Sequence, residues 1–236
     1  MLADVVAHSP SVHLASVMKE PTLEFRDVDQ SRWDDLVRLF EARGGPKSCW
    51  CMVWRATTAE AKCPDGRSRK AALGSRVLQG SPVGILAYCD GAPVAWCSIA
   101  PRSTYRRLGG PDDYPEDGNA VWSIVCFFIK RELRGRRVSD RLLAAAIAHA
   151  RSRGASIVEA YPVAPNAPSY RFMGFVDLFR RFGFEEIGTA GTRRHVVRLS
   201  LTSQTESASR HRRPPRSSCP PAASCRPPGR QPRRRG

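Results

Sequence analysis

The spacing of apolar residues along the chain predicts seven β-strands, because short runs either alternate with polar residues or are apolar throughout. Residues 121–129 form the longest run and are nearly all apolar, which is typical of a central strand buried on both faces. Asp90 and Gly91 separate two of the runs and indicate a tight hairpin. The predicted strands are residues 23–26, 83–89, 94–99, 121–129, 156–163, 184–187 and 195–201.

Four other segments carry apolar residues at the three- and four-residue spacing of an amphipathic helix. They are residues 33–40, the second half of 59–78, residues 142–150 and residues 175–182. Gly154 stands where a glycine commonly ends a helix, just after the third of these segments. The order is strand, two helices, three strands, helix, strand, helix and two strands, which predicts an α+β fold.

Residues 124–143 combine three features of an anion-binding site. An apolar strand runs into a turn that holds one glycine and several arginines, and an amphipathic helix follows directly. Backbone N–H groups at a helix start point outward, and the helix dipole favours negative charge there. Because Arg131, Arg134, Arg136 and Arg137 lie in or beside this turn, the sequence predicts a phosphorylated ligand.

The same segment resembles the acetyl-CoA motif of the GNAT N-acetyltransferase superfamily, which is a strand, then Arg/Gln-x-x-Gly-x-Gly/Ala, then a helix. Here the motif reads Arg134-Gly135-Arg136-Arg137-Val138-Ser139. A second motif, residues 178–184, resembles the family's aromatic-x-x-x-Gly-Phe before the last hairpin. The resemblance covers about residues 22–201. It implies the GNAT fold, a mixed central sheet of about seven strands flanked by helices and splayed between the fourth and fifth strands.

The resemblance further implies direct transfer of an acetyl group from acetyl-CoA, as co-substrate, to a primary amine of a small molecule or peptide. Backbone N–H groups at the end of the fourth strand would stabilise the oxyanion, and the basic turn would bind the pyrophosphate. The implied cofactor residues are Phe127, Phe128, Ile129, Arg134, Gly135, Arg136, Arg137, Val138 and Ser139.

Two residues depart from the motif, because Arg137 and Ser139 stand where the family has glycine. Either the loop keeps right-handed angles and tolerates side chains, or cofactor affinity is lowered. We expect tolerance, with the Arg137 side chain turned outward toward a phosphate of the cofactor.

The groups that move protons are less clear from the sequence. Phe179 stands where family members often carry a tyrosine that protonates the leaving thiolate. Tyr170 and Tyr161 are the alternative acids nearby, unless water serves or the thiolate leaves unassisted. Glu159 is a carboxylate in an apolar strand, and burial would raise its pKa into the range of a general base; the alternatives are a solvated strand end or a partner for an arginine. Acids in loop 112–117 either attract a cationic amine or are simply solvated.

The cysteine pattern predicts no metal site, because Cys49 and Cys51 lack a second pair or a partner histidine in zinc-finger spacing. The tryptophans are assigned either to an acceptor pocket or to the core. These are Trp50, Trp54 and Trp96.

Charge and composition divide the chain into three parts. The net charge is +16, and residues 203–236 hold nine arginines, seven prolines and one acid. We expect residues 1–21 to be a disordered extension, 22–201 to be the N-acetyltransferase domain, and 202–236 to be a disordered Arg/Pro-rich tail. The tail is either a solvated appendage or an arginine arm attracted to RNA or acidic surfaces, and nucleic-acid binding is not expected except non-specifically through it. No apolar run has the roughly 20 residues needed to span a membrane, so a cytoplasmic protein is expected. We separately expect a monomer or homodimer.

Two other functions remain open at this stage. A non-catalytic acyl-CoA-binding or sensor domain would explain the missing glycines and Phe179. A nucleic-acid-binding protein would explain the charge, but residues 22–201 carry no recognisable nucleic-acid-binding motif.

Overall fold

The computed structural model describes residues 20–111 and 120–201. This part of the chain folds into a seven-stranded sheet with two helices on each side, in the element order that the sequence predicts. The strands are β1 Glu24–Asp27, β2 Ile85–Cys89, β3 Ala92–Pro101, β4 Val121–Ile129, β5 Ile157–Ala160, β6 Glu185–Ala190 and β7 Arg194–Ser200. The helices are α1 Trp33–Glu41, α2 Gly66–Leu78, α3 Val138–Ser152 and α4 Val176–Arg180.

The sheet has the strand order β1-β2-β3-β4-β5-β7-β6. Every neighbouring pair is antiparallel except β4 and β5, which run parallel. Parallel pairing requires a crossover connection, and α3 supplies it. The predicted mixed sheet is therefore confirmed.

The fourth and fifth strands pair over only four residues. Val121–Ile124 of β4 face Ile157–Ala160 of β5, and β4 then continues to Ile129 without a partner on that side. The predicted splay lies at this point. β5 ends at Ala160, earlier than predicted, and Val163 continues only as an isolated bridge. Pro162 lies between them and has no N–H to donate to a ladder.

A β-bulge lies where the two strands part. In the pairing with β3, Ser98 faces Cys126 and Ile99 faces Ile124, so Val125 is the extra residue on β4. A bulge bends its strand and increases the local twist. It therefore helps to turn the end of β4 away from β5.

Two apolar clusters cover the two faces of the sheet. Leu142, Leu143 and Phe179 belong to the cluster on the face covered by α3 and α4. Leu36 and Leu73 belong to the cluster on the face covered by α1 and α2. None of the helices in the part of the chain described above is long and apolar enough to cross a membrane.

Candidate active site

A cleft of about 800 Å³ opens where β4 leaves β5. Four segments form its walls: the end of β4, the basic turn with the start of α3, the segment leading into α4, and the loop after α1. The lining residues are Gly44, Pro46, Phe127, Phe128, Ile129, Arg134, Ser139, Pro165, Arg171, Phe172, Gly174, Phe175, Asp177, Leu178 and Arg181.

The end of β4 presents backbone donors to this cleft. The N–H of Lys130 donates to the carbonyl of Val94 at 3.0 Å, so this amide points toward β3. Successive N–H groups along a strand point to opposite sides. The amides of Phe127 and Ile129 therefore point to the side that β5 has left.

Aromatic packing holds the cleft open. The ring centroids of Phe127 and Phe179 lie 6.1 Å apart, and those of Phe179 and Phe184 lie 5.2 Å apart. Gly174 has a φ of +89°, and a Cβ there would lie 2.9 Å from the Phe179 ring. A glycine is required at this position, and the segment that it allows forms the wall opposite β4.

The basic turn leads from β4 into α3. The Nε of Arg134 donates to the carbonyl of Ile129 at 3.1 Å, which ties the turn to the end of the strand. Arg181, just after α4, forms an ion pair with Asp140 in the first turn of α3 at 2.7 Å. Burial acts to raise the pKa of Asp140, but the guanidinium of Arg181 outweighs it, so that pKa is lowered. The two helices flanking the cleft are thus linked by charge.

Arg137 corrects one sequence-based expectation. It has φ 55° and ψ 18°, which is left-handed, so the expectation of right-handed angles at this position is wrong. A non-glycine residue in this conformation costs about 1–2 kcal/mol. Ser139, by contrast, lies within the right-handed helix α3, where a side chain fits without strain. Only one of the two missing glycines therefore has a conformational cost.

The predicted cofactor residues divide into two groups. Phe127, Phe128, Ile129, Arg134 and Ser139 line the cleft.

The other four do not form its walls. Gly135 and Arg136 lie in the turn, and the side chain of Val138 is buried in the core beneath α3. Arg137 lines a separate cavity of about 440 Å³ beside Asp140 and Phe182. The sequence predicts that the whole turn binds the cofactor. In the structure, Arg134 and Ser139 are the residues of the turn and helix start that line the cleft.

Glu159 lies at the centre of a buried ion-pair cluster. Its side chain is fully buried. One carboxylate oxygen accepts from Nε of Arg102 at 3.1 Å, and the other accepts from Nε of Arg198 at 2.9 Å. The hydroxyl of Tyr161 also donates to this carboxylate. Of the sequence-based interpretations, the surroundings favour a partner for arginines, and a role as general base stays a prediction.

Tyr170 and Tyr161 come together around an arginine that the sequence did not single out. The guanidinium of Arg194 lies 5.4 Å from the Tyr170 ring centroid, 5.7 Å from that of Tyr161 and 4.5 Å from that of Trp54. Tyr170 directly precedes Arg171 and Phe172, which line the cleft. No local motif marks Arg194, because only the tertiary fold places these rings around it.

The tryptophans that the sequence analysis assigned either to an acceptor pocket or to the core do not line the cleft. Trp50 and Trp96 are buried in the core beneath α1 and α2, and Trp54 is half-buried against Tyr170. The acids of loop 112–117 lie outside the described residues. Within residues 20–111 and 120–201, no group of three or more histidine, cysteine or acidic side chains is arranged to hold a metal ion.

Comparison with known families identifies the class of protein. The model of the acetyltransferase (GNAT) family matches residues 33–184, which is more than half of the chain. The chain therefore belongs to the GNAT acetyltransferase family. A comparison with curated protein sequences gave no match.

Several solved structures are similar at low sequence identity. PaiA N-acetyltransferase from Thermoplasma acidophilum in complex with coenzyme A is 12% identical, with 76% of this chain and 99% of that chain covered and a TM-score of 0.48. YncA from Salmonella typhimurium with its cofactor acetyl-CoA is 17% identical, with 76% and 94% covered and a TM-score of 0.44. Ribosomal-protein-alanine N-acetyltransferase from Brucella melitensis is 21% identical, with 75% and 99% covered and a TM-score of 0.44. We infer no substrate from these similarities.

Arg137→Gly is expected to raise the free energy of unfolding by about 0.5–1 kcal/mol, because glycine adopts left-handed angles without a Cβ clash. Denaturant unfolding measures this change. Arg136→Gly is the matched control, since it removes the same charge from the same turn at a residue without a positive φ. An equal effect of both substitutions would contradict the strain assigned to Arg137.

Glu159→Gln is expected to lower the free energy of unfolding by about 3–5 kcal/mol, because a fully buried carboxylate is lost from two arginines whose side chains are only 15% and 12% exposed. The control is Glu186→Gln, which removes an exposed carboxylate and should cost less than about 1 kcal/mol. Equal costs in denaturant titrations would show that Glu159 is not the centre of a buried ion pair. Any loss of activity in Glu159→Gln must be corrected for the fraction of folded enzyme.

Proposed function

We propose that this protein transfers an acetyl group from acetyl-CoA to a primary amine of a small-molecule or peptide acceptor, by direct attack of the amine on the thioester. Family membership supports acetyl transfer in general. The observation that carries the proposal is the opening between β4 and β5, where unpaired amides of β4 lie beside a basic turn.

The two ends of the cleft suit the two parts of acetyl-CoA. Arg134 and the start of α3 would bind the pyrophosphate, with Arg134 supplying charge-assisted hydrogen bonds. The amides of Phe127 and Ile129 would donate to the thioester oxygen as it becomes an oxyanion. One such donor typically contributes about 3 kcal/mol to catalysis.

Tyr170 is the proposed general acid for the leaving thiolate. Phe179 is fully buried in the aromatic wall and has no proton to give. Tyr170 is half-buried and adjoins the cleft-lining Arg171 and Phe172. Of the two candidate tyrosines, it is the one next to cleft-lining residues, and its own side chain does not line the cleft.

Glu159 is proposed to act through Tyr161 rather than on the acceptor directly. Its carboxylate is buried and bonded to two arginines, so it does not reach the cleft. Tyr161, whose hydroxyl it binds, is the residue directly after the last paired residue of β5. Glu159 thus holds Tyr161 at the point where the strands part.

A non-catalytic acyl-CoA-binding domain is the second candidate, and two observations favour it. The usual tyrosine position is occupied by the buried Phe179, and the turn is strained at Arg137. Release of CoA thiol with a panel of amines separates the two functions. Acetyl-CoA binding without thiol release across that panel would favour the binding domain.

Acetyl-CoA is expected to bind the full-length protein in a one-to-one complex that isothermal titration calorimetry measures. Gly135→Asp should weaken it at least tenfold more than Gly135→Asn does. Asp and Asn both tolerate the φ of +77° at this position, so the difference isolates the added negative charge beside the phosphates. Absence of detectable binding to the unsubstituted protein would overturn the proposed function.

Tyr170→Phe is expected to lower kcat about 100-fold or more, because general acid catalysis commonly contributes that much. The KM for acetyl-CoA should change little. Tyr88→Phe is the control, since it removes a phenol from β2 that does not line the cleft. Comparable losses of kcat in both variants would remove Tyr170 from the role of acid.

A further inference from the structure

A further cavity of about 350 Å³ lies beside the last turns of α2. None of its lining residues lines the cleft between β4 and β5. The walls are polar and come from α2, the turn after it, the segment after α1 and the turn after β3. The lining residues are Arg55, Glu60, Ser75, Arg76, Gln79, Ser81, Pro82 and Thr104.

Arg55 is the unusual member of this set, because it is a charged side chain that is only 3% exposed. Its Nη2 donates to the carbonyl of Val83 at 2.8 Å, to the Ser98 hydroxyl at 3.0 Å and to the Tyr105 hydroxyl at 2.7 Å. The guanidinium also lies 4.2 Å from the centroid of the Tyr105 ring. All of these partners are neutral groups.

No carboxylate in the described part of the chain forms an ion pair with Arg55, and its buried Nε has no hydrogen-bond partner there. Burial lowers the pKa of the guanidinium, which shows that its surroundings disfavour the charge. Buried charges in proteins are normally paired. Among the residues that the structure describes, Arg55 is therefore a buried cation without a counter-ion.

The one acid in the cavity wall is already neutralised. Glu60 accepts from both terminal nitrogens of Arg76, at 2.8 Å each, and from the N–H of Thr57 at 2.8 Å. The hydrogen bond from Arg76 lowers the pKa of Glu60 to about 2, so the pair stays ionised and carries no net charge. Among the charged residues that line this cavity, Arg55 is therefore the one whose charge is not balanced.

We propose that this cavity binds a small oxyanion, such as phosphate, sulfate or a carboxylate group, with Arg55 as the counter-ion. The hydroxyls of Ser75 and Ser81 are neutral donors in the same wall. Water would satisfy the Nε of Arg55 but would not balance its charge. Arg55 directly follows Trp54, which packs against Tyr170, so a bound anion stabilises the segment that supports the tyrosine side of the cleft.

The test measures thermal unfolding of the full-length protein in sodium phosphate, sulfate or acetate, each against sodium chloride at equal ionic strength. At least one of the three oxyanions should raise Tm by a saturable amount, because a ligand that binds only the native state stabilises it. The preferred anion distinguishes a phosphate-type from a carboxylate-type ligand. The experiment measures neither acetyl-CoA binding nor acetyl transfer, so its result is independent of the proposed enzymatic function.

Substitutions at Ser75 decide whether the effect arises in this cavity. Ser75→Glu places a carboxylate in the wall and should raise Tm without added anion, relative to Ser75→Gln, while losing most of the oxyanion-dependent shift. A glutamate near the C-terminal end of a helix is otherwise unfavourable, so a rise in Tm indicates pairing with a cation of this cavity. Loss of the oxyanion-dependent shift in the same variant then identifies that cation as the one that binds the anion.

Ala71→Glu is the control, because it adds the same charge to an exposed position of α2 outside the cavity. It should keep the oxyanion-dependent shift of the unsubstituted protein. Equal shifts in all variants would mean non-specific anion binding only, and no shift with any of the three anions would mean no binding at this cavity. Either outcome would overturn the proposal.

Discussion

The parallel pairing of β4 with β5 is the constraint on which the functional part of this molecule depends. The two strands share four residue pairs and then separate within one continuous sheet. The bulge at Val125 bends β4, and the rings of Phe127 and Phe179 fill the space between β4 and α4. Where β4 and β5 separate, backbone amides of β4 are exposed that would donate to the neighbouring strand in a regular sheet. The cleft is therefore a consequence of sheet geometry, and the side chains of the turn and of α3 add charge to it.

Buried charge is the second feature of the structure, and the surroundings of Glu159 and Arg55 balance it to different degrees. At Glu159, one carboxylate is matched by Arg102 and Arg198, and Tyr161 is fixed beside it. At Arg55, the hydrogen bonds all go to neutral groups. Breaking the first cluster would leave charges buried and unpaired, whereas the second site is where we propose that an anion binds.

In the basic turn, the charge that suits a phosphorylated cofactor and the backbone conformation depend on different residues. Its arginines and the helix start suit a phosphorylated cofactor whatever the backbone does. The two positions where the family has glycine depend instead on backbone angles, and the two residues that replace glycine here differ in conformation. Ser139 lies in ordinary helix, while Arg137 is held in the left-handed region by the entry into α3. Affinity for the cofactor is thus expected from charge, with a conformational cost at one residue.

The sequence by itself determined the order of seven strands and four helices, the central place of β4 and the position of the basic turn. These depend on local periodicity and on residue chemistry, which nearby residues specify. Only the tertiary structure decided the ion pairing of Glu159, the enclosure of Arg194 by Tyr161 and Tyr170, and the isolation of Arg55. Arg102 and Glu159 are 57 residues apart in the chain, and Arg55 and Ser98 are 43 apart. Such contacts exist only once the sheet brings distant strands together, so no local pattern encodes them.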